Sequence, residues 1–309
     1  MASRFKRKES VTKGVQRIAQ GRINCALNEM QPSDKLEAVH RVRMEIKKLR
    51  AILRLMRKAA DGSFYSRNTN LLREAANSLS HVRDTHVTLK ALNDLVAHFK
   101  GQLPPRPFKQ IKQKLQERCD QATSDFARKS SLKKVTSNLR KVSQNFRQLQ
   151  LGATGWPALC AGLTWSYSRG RCCKNRSINA PASELLHEWR KRVKDLWYQV
   201  RLLRPLWPEQ MCAMASELKT LSDLLGDDHD LVMLKEILEQ MRPDEQEFEV
   251  LCGLITQRQQ ELRSEAVLLG ARFYSEKPAV FVQRLARYWT IWRKGKGKLK
   301  RKVRASVTT

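Results

Sequence analysis

Two rows of side chains along the segment 36–57 constrain the fold more than any other feature of the sequence. The segment has no Pro or Gly and is rich in Leu, Arg, Lys, Met and Glu, which predicts a helix. At spacings of three and four it carries an apolar row, typical of a buried helix face: Val39, Val42, Ile46, Leu49, Leu53 and Met56. One position later runs a basic row: His40, Arg43, Lys47, Arg50, Arg54 and Arg57. Burial explains only the first row, so the second, turned by about 100° around the helix, needs another explanation.

The same two rows recur in the segment 186–204, at one constant offset from the first copy. The apolar members are Leu186, Trp189, Val193, Leu196, Val200 and Leu203. The basic members are His187, Arg190, Lys194, Arg201 and Arg204, and Trp197 stands where the first copy has Arg50. A repeat at such a long period indicates duplication of a subdomain and not a short solenoid repeat.

The net charge indicates a polyanionic partner. The chain of 309 residues has 60 Lys and Arg against 30 Asp and Glu, a formal charge of +30. The terminal segments hold only part of this excess, so the folded body is itself basic and should attract nucleic acid, an anionic membrane or a phosphate polymer. No apolar run approaches the roughly 18 residues of a membrane span. The seven Cys form no CxxC motif, which favours a reducing compartment and a cytoplasmic location.

The pattern along the chain predicts an all-α fold of bundled helices, because almost nothing alternates with period two. Helix breaks are expected near 81–86 and at Gly226. The predicted organisation is a mobile basic tail at 1–12, a first helical half at 13–150, a linker with a short helix and a basic loop at 151–182, a second helical half at 183–293, and a disordered basic tail at 294–309.

A second motif follows each basic row. It contains Arg83 and Asp84 in the first half and His229 and Asp230 in the second. A carboxylate near a row of cations can orient an Arg or His side chain by charge-assisted hydrogen bonds. Asp230 has an equally good alternative explanation, because the break expected at Gly226 would place it at the start of a helix, where a carboxylate is favoured.

Taken together, the duplicated elements resemble the CHAD domain, the conserved histidine α-helical domain. The resemblance rests on His40, Arg43 and Lys47, on their counterparts His187, Arg190 and Lys194, and on the Arg83–Asp84 and Gly226–Asp230 elements. It covers about residues 10–293 and implies two four-helix bundles related by a pseudo-twofold axis, with a basic central cleft that binds inorganic polyphosphate. Two residues depart from the family pattern, Trp197 in place of a cation and His86 in place of an acid.

We therefore predict polyphosphate binding without hydrolysis, with no catalytic residue, metal or cofactor. The predicted binding residues are the basic rows, with Arg83, Asp84, His229 and Asp230 in support: His40, Arg43, Lys47, Arg50, Arg54, Arg57, His187, Arg190, Lys194, Arg201 and Arg204. Protonation of His40 and His187 beside a polyanion would strengthen binding below neutral pH. Polyphosphate granules and their proteins are further predicted associations, and the basic tails allow weak binding of nucleic acid.

Two other functions compete with this prediction. A nucleoid-associated protein that binds nucleic acid non-specifically would have the same charge. A metal-dependent phosphohydrolase could use the His229–Asp230 pair, although the remaining ligands are not evident at convincing spacing. The sequence has neither a P-loop nor the acidic ExExK signature of the CYTH triphosphatase domain that often accompanies CHAD domains.

Overall fold

Helices account for almost all of the residues that the structure describes. The computed structural model describes residues 4–30, 35–104, 107–128, 131–179 and 182–306. Within these ranges the α-helices are α1 (Val11–Asn28), α2 (Lys35–Leu55), α3 (Gly62–Asn77), α4 (Ser80–His98), α5 (Lys109–Arg128), α6 (Ser131–Arg147), α7 (Pro157–Asn179), α8 (Ser183–Leu202), α9 (Pro208–Met241), α10 (Glu245–Phe273) and α11 (Pro278–Ser306). Short 3-10 helices lie at Lys100–Gln102 and Arg204–Leu206. The all-α prediction is confirmed.

The apolar faces pack into two clusters. The larger one contains both apolar rows of α2 and α8, every member of which is buried, together with side chains of α1, α3, α6, α7 and α11. The smaller one joins α4 and α5 to α9 and α10. Both clusters thus combine helices from the two halves of the chain, and the division into two four-helix bundles stays a prediction. None of the helices in the described part of the chain is long and apolar enough to cross a membrane.

The prediction that the linker at 151–182 contains only a short helix and a loop is wrong, because α7 is helical from Pro157 to Asn179. The described part of the predicted basic loop, up to Asn179, lies within this helix. Tyr167 anchors the helix: it is fully buried, and its hydroxyl donates to the carbonyl oxygen of Phe273 at 3.2 Å. Gly170, which belongs to the segment predicted as a basic loop, lies directly against the hydroxyl of Tyr274 and leaves no room for a Cβ. The glycine therefore serves close packing.

The break predicted at Gly226 is also wrong, since α9 runs without interruption from Pro208 to Met241. A Cβ at Gly226 would lie 3.3 Å from Nε of Arg190, so the missing side chain lets α8 place this arginine close to α9. The other predicted break is present but lies between α3 and α4, at residues 78–79 and not at 81–86.

The terminal segments are more ordered than predicted. Phe5 is buried and meets the ring of Trp289 edge-on at 6.3 Å, and the Ser10 hydroxyl caps α1 by accepting from the backbone N–H of Lys13 at 3.2 Å. Residues 4–12 are therefore not a mobile tail. In α11 the helix is interrupted at Gly295, with φ 70°, and helical backbone continues to Ser306, where a disordered tail was predicted. Residues 1–3 and 307–309 lie outside the described residues.

Close contact between α7 and α2 provides a test of this packing. A Cβ at Gly162 would overlap the backbone of Leu55. We expect Gly162→Ala to lower the free energy of unfolding by about 1–3 kcal/mol or more, because the helices must separate. The matched control is Gly253→Ala in α10, where a Cβ meets nothing within 4 Å. This substitution should stabilise the helix by up to about 1 kcal/mol. Urea denaturation measures both, and equal stability of the two variants would contradict the packing.

Candidate functional site

The two helices that carry the basic rows pack directly against each other. Gln199 of α8 donates its side-chain N–H to the carbonyl oxygen of Ala51 in α2 at 3.2 Å, and both residues are buried. Further along the contact, Nη1 of Arg54 lies 2.5 Å from Oδ1 of Asp195. This contact brings the two rows of cations together between the halves of the chain.

A cleft of about 650 Å³ lies where α2 and α8 meet α4 and α9. Cations from all four helices line it: Arg43 and Lys47 from α2, Arg83 and Lys90 from α4, Arg190 and Lys194 from α8, and Lys219 from α9. His40 and His86 also line it, as do the carboxylates of Glu37, Asp223, Asp227 and Asp230. The cleft therefore contains Arg and Lys side chains from the N-terminal part of each basic row. Cations from α4 and α9 lie opposite these side chains.

Burial lowers the pKa of two of the cleft lysines, Lys47 and Lys194. Desolvation, and then repulsion from Lys194, Arg190, Arg83 and Arg43, lowers the pKa of Lys47 to about 6. Desolvation also lowers the pKa of Lys194 to about 8, with Arg190 and Arg83 acting in the same direction. Like charges held this close raise the free energy of the empty site, and an anion between them would relieve the repulsion.

Two of the three cleft arginines, Arg43 and Arg190, are positioned by the backbone around them. Nη1 of Arg43 donates to the carbonyl oxygen of Ala76 at 2.8 Å, while Arg190 lies against Gly226. Burial lowers the pKa of both guanidinium groups. The Nε atoms of Arg43 and Arg190 are buried without a hydrogen-bond partner among the described residues. Donors in this state are available to an incoming acceptor.

The second motif holds a cation in place, as one of its two interpretations predicted. Arg83 donates to Oδ1 of Asp84 at 3.1 Å and lies 3.4 Å from Oδ1 of Asp230, so the Arg83–Asp84 and His229–Asp230 elements meet. Asp230 lies well inside α9. The helix-capping interpretation of Asp230 is therefore wrong.

The C-terminal part of the first basic row does not line the cleft. Arg54 is paired with the buried Asp195, and the guanidinium of Arg57 lies over the ring of Trp165 at 4.3 Å. Burial and the neighbouring Arg54 lower the pKa of Arg50. These three predicted binding residues lie in an inner cluster whose charge is partly neutralised. In the second row, Arg201 and Arg204 line a separate side pocket.

The histidine pair of the second half also lies outside the cleft lining. The rings of His187 and His229 are 4.1 Å apart. Burial, followed by repulsion from neighbouring cations, lowers the pKa of His187 to about 4, and burial with repulsion from His187 lowers that of His229 to about 3. Both histidines are therefore neutral at physiological pH. His40, in contrast to this pair, lines the cleft.

The two departures from the family pattern have different outcomes. His86 lines the cleft, and its buried Nε2 has no hydrogen-bond partner. Trp197 is buried, with the guanidinium of Arg201 at 5.0 Å and the ammonium of Lys219 at 6.0 Å from its ring centre.

Lys219 and Lys90 are cleft cations that sequence reasoning missed, because neither belongs to a repeated row. In the described part of the chain, no group of three or more His, Cys, Asp or Glu side chains could hold a metal ion.

Comparisons with known proteins agree with this architecture. The family model of the CHAD domain matches residues 22–239. Among curated proteins there is no match. PptA from Streptomyces chartreusis superimposes with a TM-score of 0.61 at 12% identity, over 87% of this chain and 100% of that one. The crystal structure of the CHAD domain from the plant Ricinus communis gives a TM-score of 0.59 at 13% identity, over 86% of this chain and 89% of that one. At such identities the likeness to these two structures concerns the fold alone.

Proposed function

Because the chain belongs to the CHAD domain family, we propose that its central cleft binds inorganic polyphosphate and does not hydrolyse it. Family membership supports a polyphosphate-related function. The observation that carries the proposal is the convergence of Arg43, Lys47, Arg190 and Lys194 on one cleft, where Arg83, Lys90 and Lys219 join them.

The donor set of the cleft suits a chain of phosphate groups. Arginine offers a planar fork of N–H donors that matches two phosphate oxygens, and lysine adds a compact charge. No Trp, Tyr or Phe is among the described residues that line the cleft. Single-stranded nucleic acids are usually held by bases stacked on aromatic rings. The lining therefore favours a polyanion without bases.

Binding without hydrolysis is supported by the positions of the two residues that resembled a metal pair. His229 lies against the ring of His187, and Asp230 lies against Arg83. Each of these two side chains thus contacts another side chain of the protein. Association with polyphosphate granules in the cytoplasm, and with their proteins, would follow from the binding of the polymer.

Nucleic-acid binding is a second candidate, favoured by surface cations outside the cleft. Arg7, Lys8, Arg293 and Lys294 surround Trp289 in an open hollow of about 480 Å³. Such a surface attracts any polyanion without reading a sequence. Its location at the joined termini allows it to be tested separately from the cleft.

A competition experiment separates the two functions. In a chain that ends at Arg293 and carries Arg7→Gln with Lys8→Gln, three of the four cations of this hollow are removed. For this variant, polyphosphate should displace duplex DNA and bind with the affinity of the full chain, because the cleft is intact. Residues 4–10 are kept, since Phe5 packs in the core. Fluorescence anisotropy over a salt series measures both affinities, which should fall as salt rises. A preference for DNA would favour the second candidate, and phosphate release from the bound polymer would reverse the proposal of binding without hydrolysis.

A further inference from the structure

A side pocket of about 330 Å³ lies next to the cleft, between α2, α8 and α9. Six cations and no carboxylate are among the described residues that line it: Arg4, Arg22, Lys48, Arg201, Arg204 and Lys219. Trp197 and Tyr198 contribute to its wall. The side pocket thus has a purer positive lining than the cleft, which contains four carboxylates.

The side pocket and the cleft are neighbours with a shared wall. The hydroxyl of Tyr198, which lines the side pocket, donates to Sδ of Met44, which lines the cleft, at 3.7 Å. Lys219 lines both spaces. Lys219 therefore lies at the border between the two spaces.

Much of the positive charge in the side pocket is not neutralised. Glu45 pairs with both Arg22, at 3.3 Å, and Lys48, and Asp223 pairs with Lys219. Among the described residues, none of the carboxylates forms an ion pair with Arg4, Arg201 or Arg204. The Nε of Arg204 is moreover buried with no hydrogen-bond partner in the part of the chain that the structure describes. Three arginines are thus left for an external anion.

The residue that interrupts the second basic row has a role in this arrangement. Trp197 holds Arg201 and Lys219 near its ring by cation–π contacts, at 5.0 Å and 6.0 Å. A cation at position 197 would repel both of them. The tryptophan therefore allows Arg201 and Lys219 to line the same pocket.

We propose that the side pocket is a second phosphate-binding site, which takes up the polymer where it leaves the cleft past Lys219. This inference rests on the proposed function of the cleft. It implies that long chains gain contacts to Arg201 and Arg204 that a short chain confined to the cleft does not make. The protein then discriminates between chain lengths, and the side pocket is the specificity-determining element.

The test compares tripolyphosphate with long-chain polyphosphate, using the full chain and the variant Arg201→Glu with Arg204→Glu. For the variant, we expect the affinity for the long chain to fall at least about tenfold and the slope of log affinity against log salt to decrease by about two, one for each lost phosphate contact. The affinity for tripolyphosphate should stay close to that of the wild type. The pair Arg201→Gln with Arg204→Gln repeats the test with a smaller perturbation, should the first variant fail to fold.

The matched control is Lys112→Glu with Arg118→Glu, which makes the same change of charge on the exposed face of α5. A loss for the long chain no greater than that of the control would overturn the second site. An equal loss for tripolyphosphate would also overturn it, because the side pocket would then not be separate from the cleft. Binding of ATP that the variant abolishes, without loss of long-chain binding, would assign the pocket to a small phosphate compound instead. If the wild type bound neither polyphosphate, the proposed function of the cleft would itself have failed.

Discussion

The variant Arg43→Glu with Arg190→Glu should lose polyphosphate binding by about 10³-fold or more, because removal of one partner of a buried, hydrogen-bonded charge pair costs about 2–5 kcal/mol. The two arginines approach the cleft from α2 and α8. Their replacement removes two forked donors and places two carboxylates among the remaining cations, where they would pair with Lys47 and Lys194 and repel phosphate. Isothermal titration calorimetry with long-chain polyphosphate measures the loss.

Two controls make this result interpretable. Lys112→Glu with Arg118→Glu has the same net charge but leaves the cleft intact, so it should lose little affinity. Circular dichroism should show the helicity of the wild type, because neither arginine belongs to the apolar clusters. If the cleft variant does not fold, Arg43→Gln with Arg190→Gln gives the same direction of effect. Affinity equal to that of the control would place the polymer outside the cleft.

The sequence identified the centre of the candidate site because helical periodicity is a local property. Arg43 and Lys47 share a face of α2 whatever the tertiary structure is, and a second copy of the row predicted a second helix to face it. Burial of both apolar rows then left the basic rows to meet between the helices. This reasoning needs no knowledge of how the helices cross.

Whether the C-terminal ends of the basic rows line the cleft depends on how the helices cross. Helical periodicity does not specify this crossing. A row of this length extends over about 25 Å of helix, whereas the cleft opens along only part of it. Past the cleft, Arg54 meets Asp195 and Arg57 meets Trp165. Asp195 lies outside both repeated rows, so nothing in the pattern indicated that it would neutralise part of the first one.

Errors in the predicted helix boundaries have a common cause. A glycine indicates a break when only the chain itself is considered, but Gly170 and Gly226 lie inside helices at points where another side chain comes close. Because Gly226 does not interrupt α9, that helix carries Lys219 and Asp230 to the same cleft. The cations that sequence reasoning missed therefore depend on the same long-range packing as the misplaced breaks.

Polyphosphate affinity should rise as the pH falls from about 9 to about 6, and the cleft lysines determine this window. In the free protein the pKa of Lys47 is about 6 and that of Lys194 is about 8, because both are desolvated among other cations. A bound polyanion favours the charged form and raises both pKa values. The complex then holds more protons than the free protein, so a lower pH favours binding. Below about pH 6 both lysines become charged without ligand, so their contribution to the dependence should level off.

The size of the effect and its origin can be measured together. Each lysine that gains a full proton on binding contributes up to about tenfold in affinity per pH unit. His40 adds to the change in the same direction, since burial and the nearby cations lower its pKa in the free protein. His187, to which the sequence interpretation assigned part of the pH dependence, lies outside the cleft lining, and its pKa of about 4 leaves it neutral throughout this range.

Titration calorimetry in buffers of different ionisation enthalpy counts the protons taken up on binding. For the wild type we expect uptake at pH 7.5 to 8, near the pKa of Lys194 and above that of Lys47. Lys47→Met should take up fewer protons and show a shallower rise in affinity toward pH 6, whereas His187→Gln should match the wild type. A wild-type affinity that is independent of pH over this window, at constant ionic strength, would contradict the role of the lysines. Loss of the dependence in His187→Gln with its retention in Lys47→Met would return that role to the histidine.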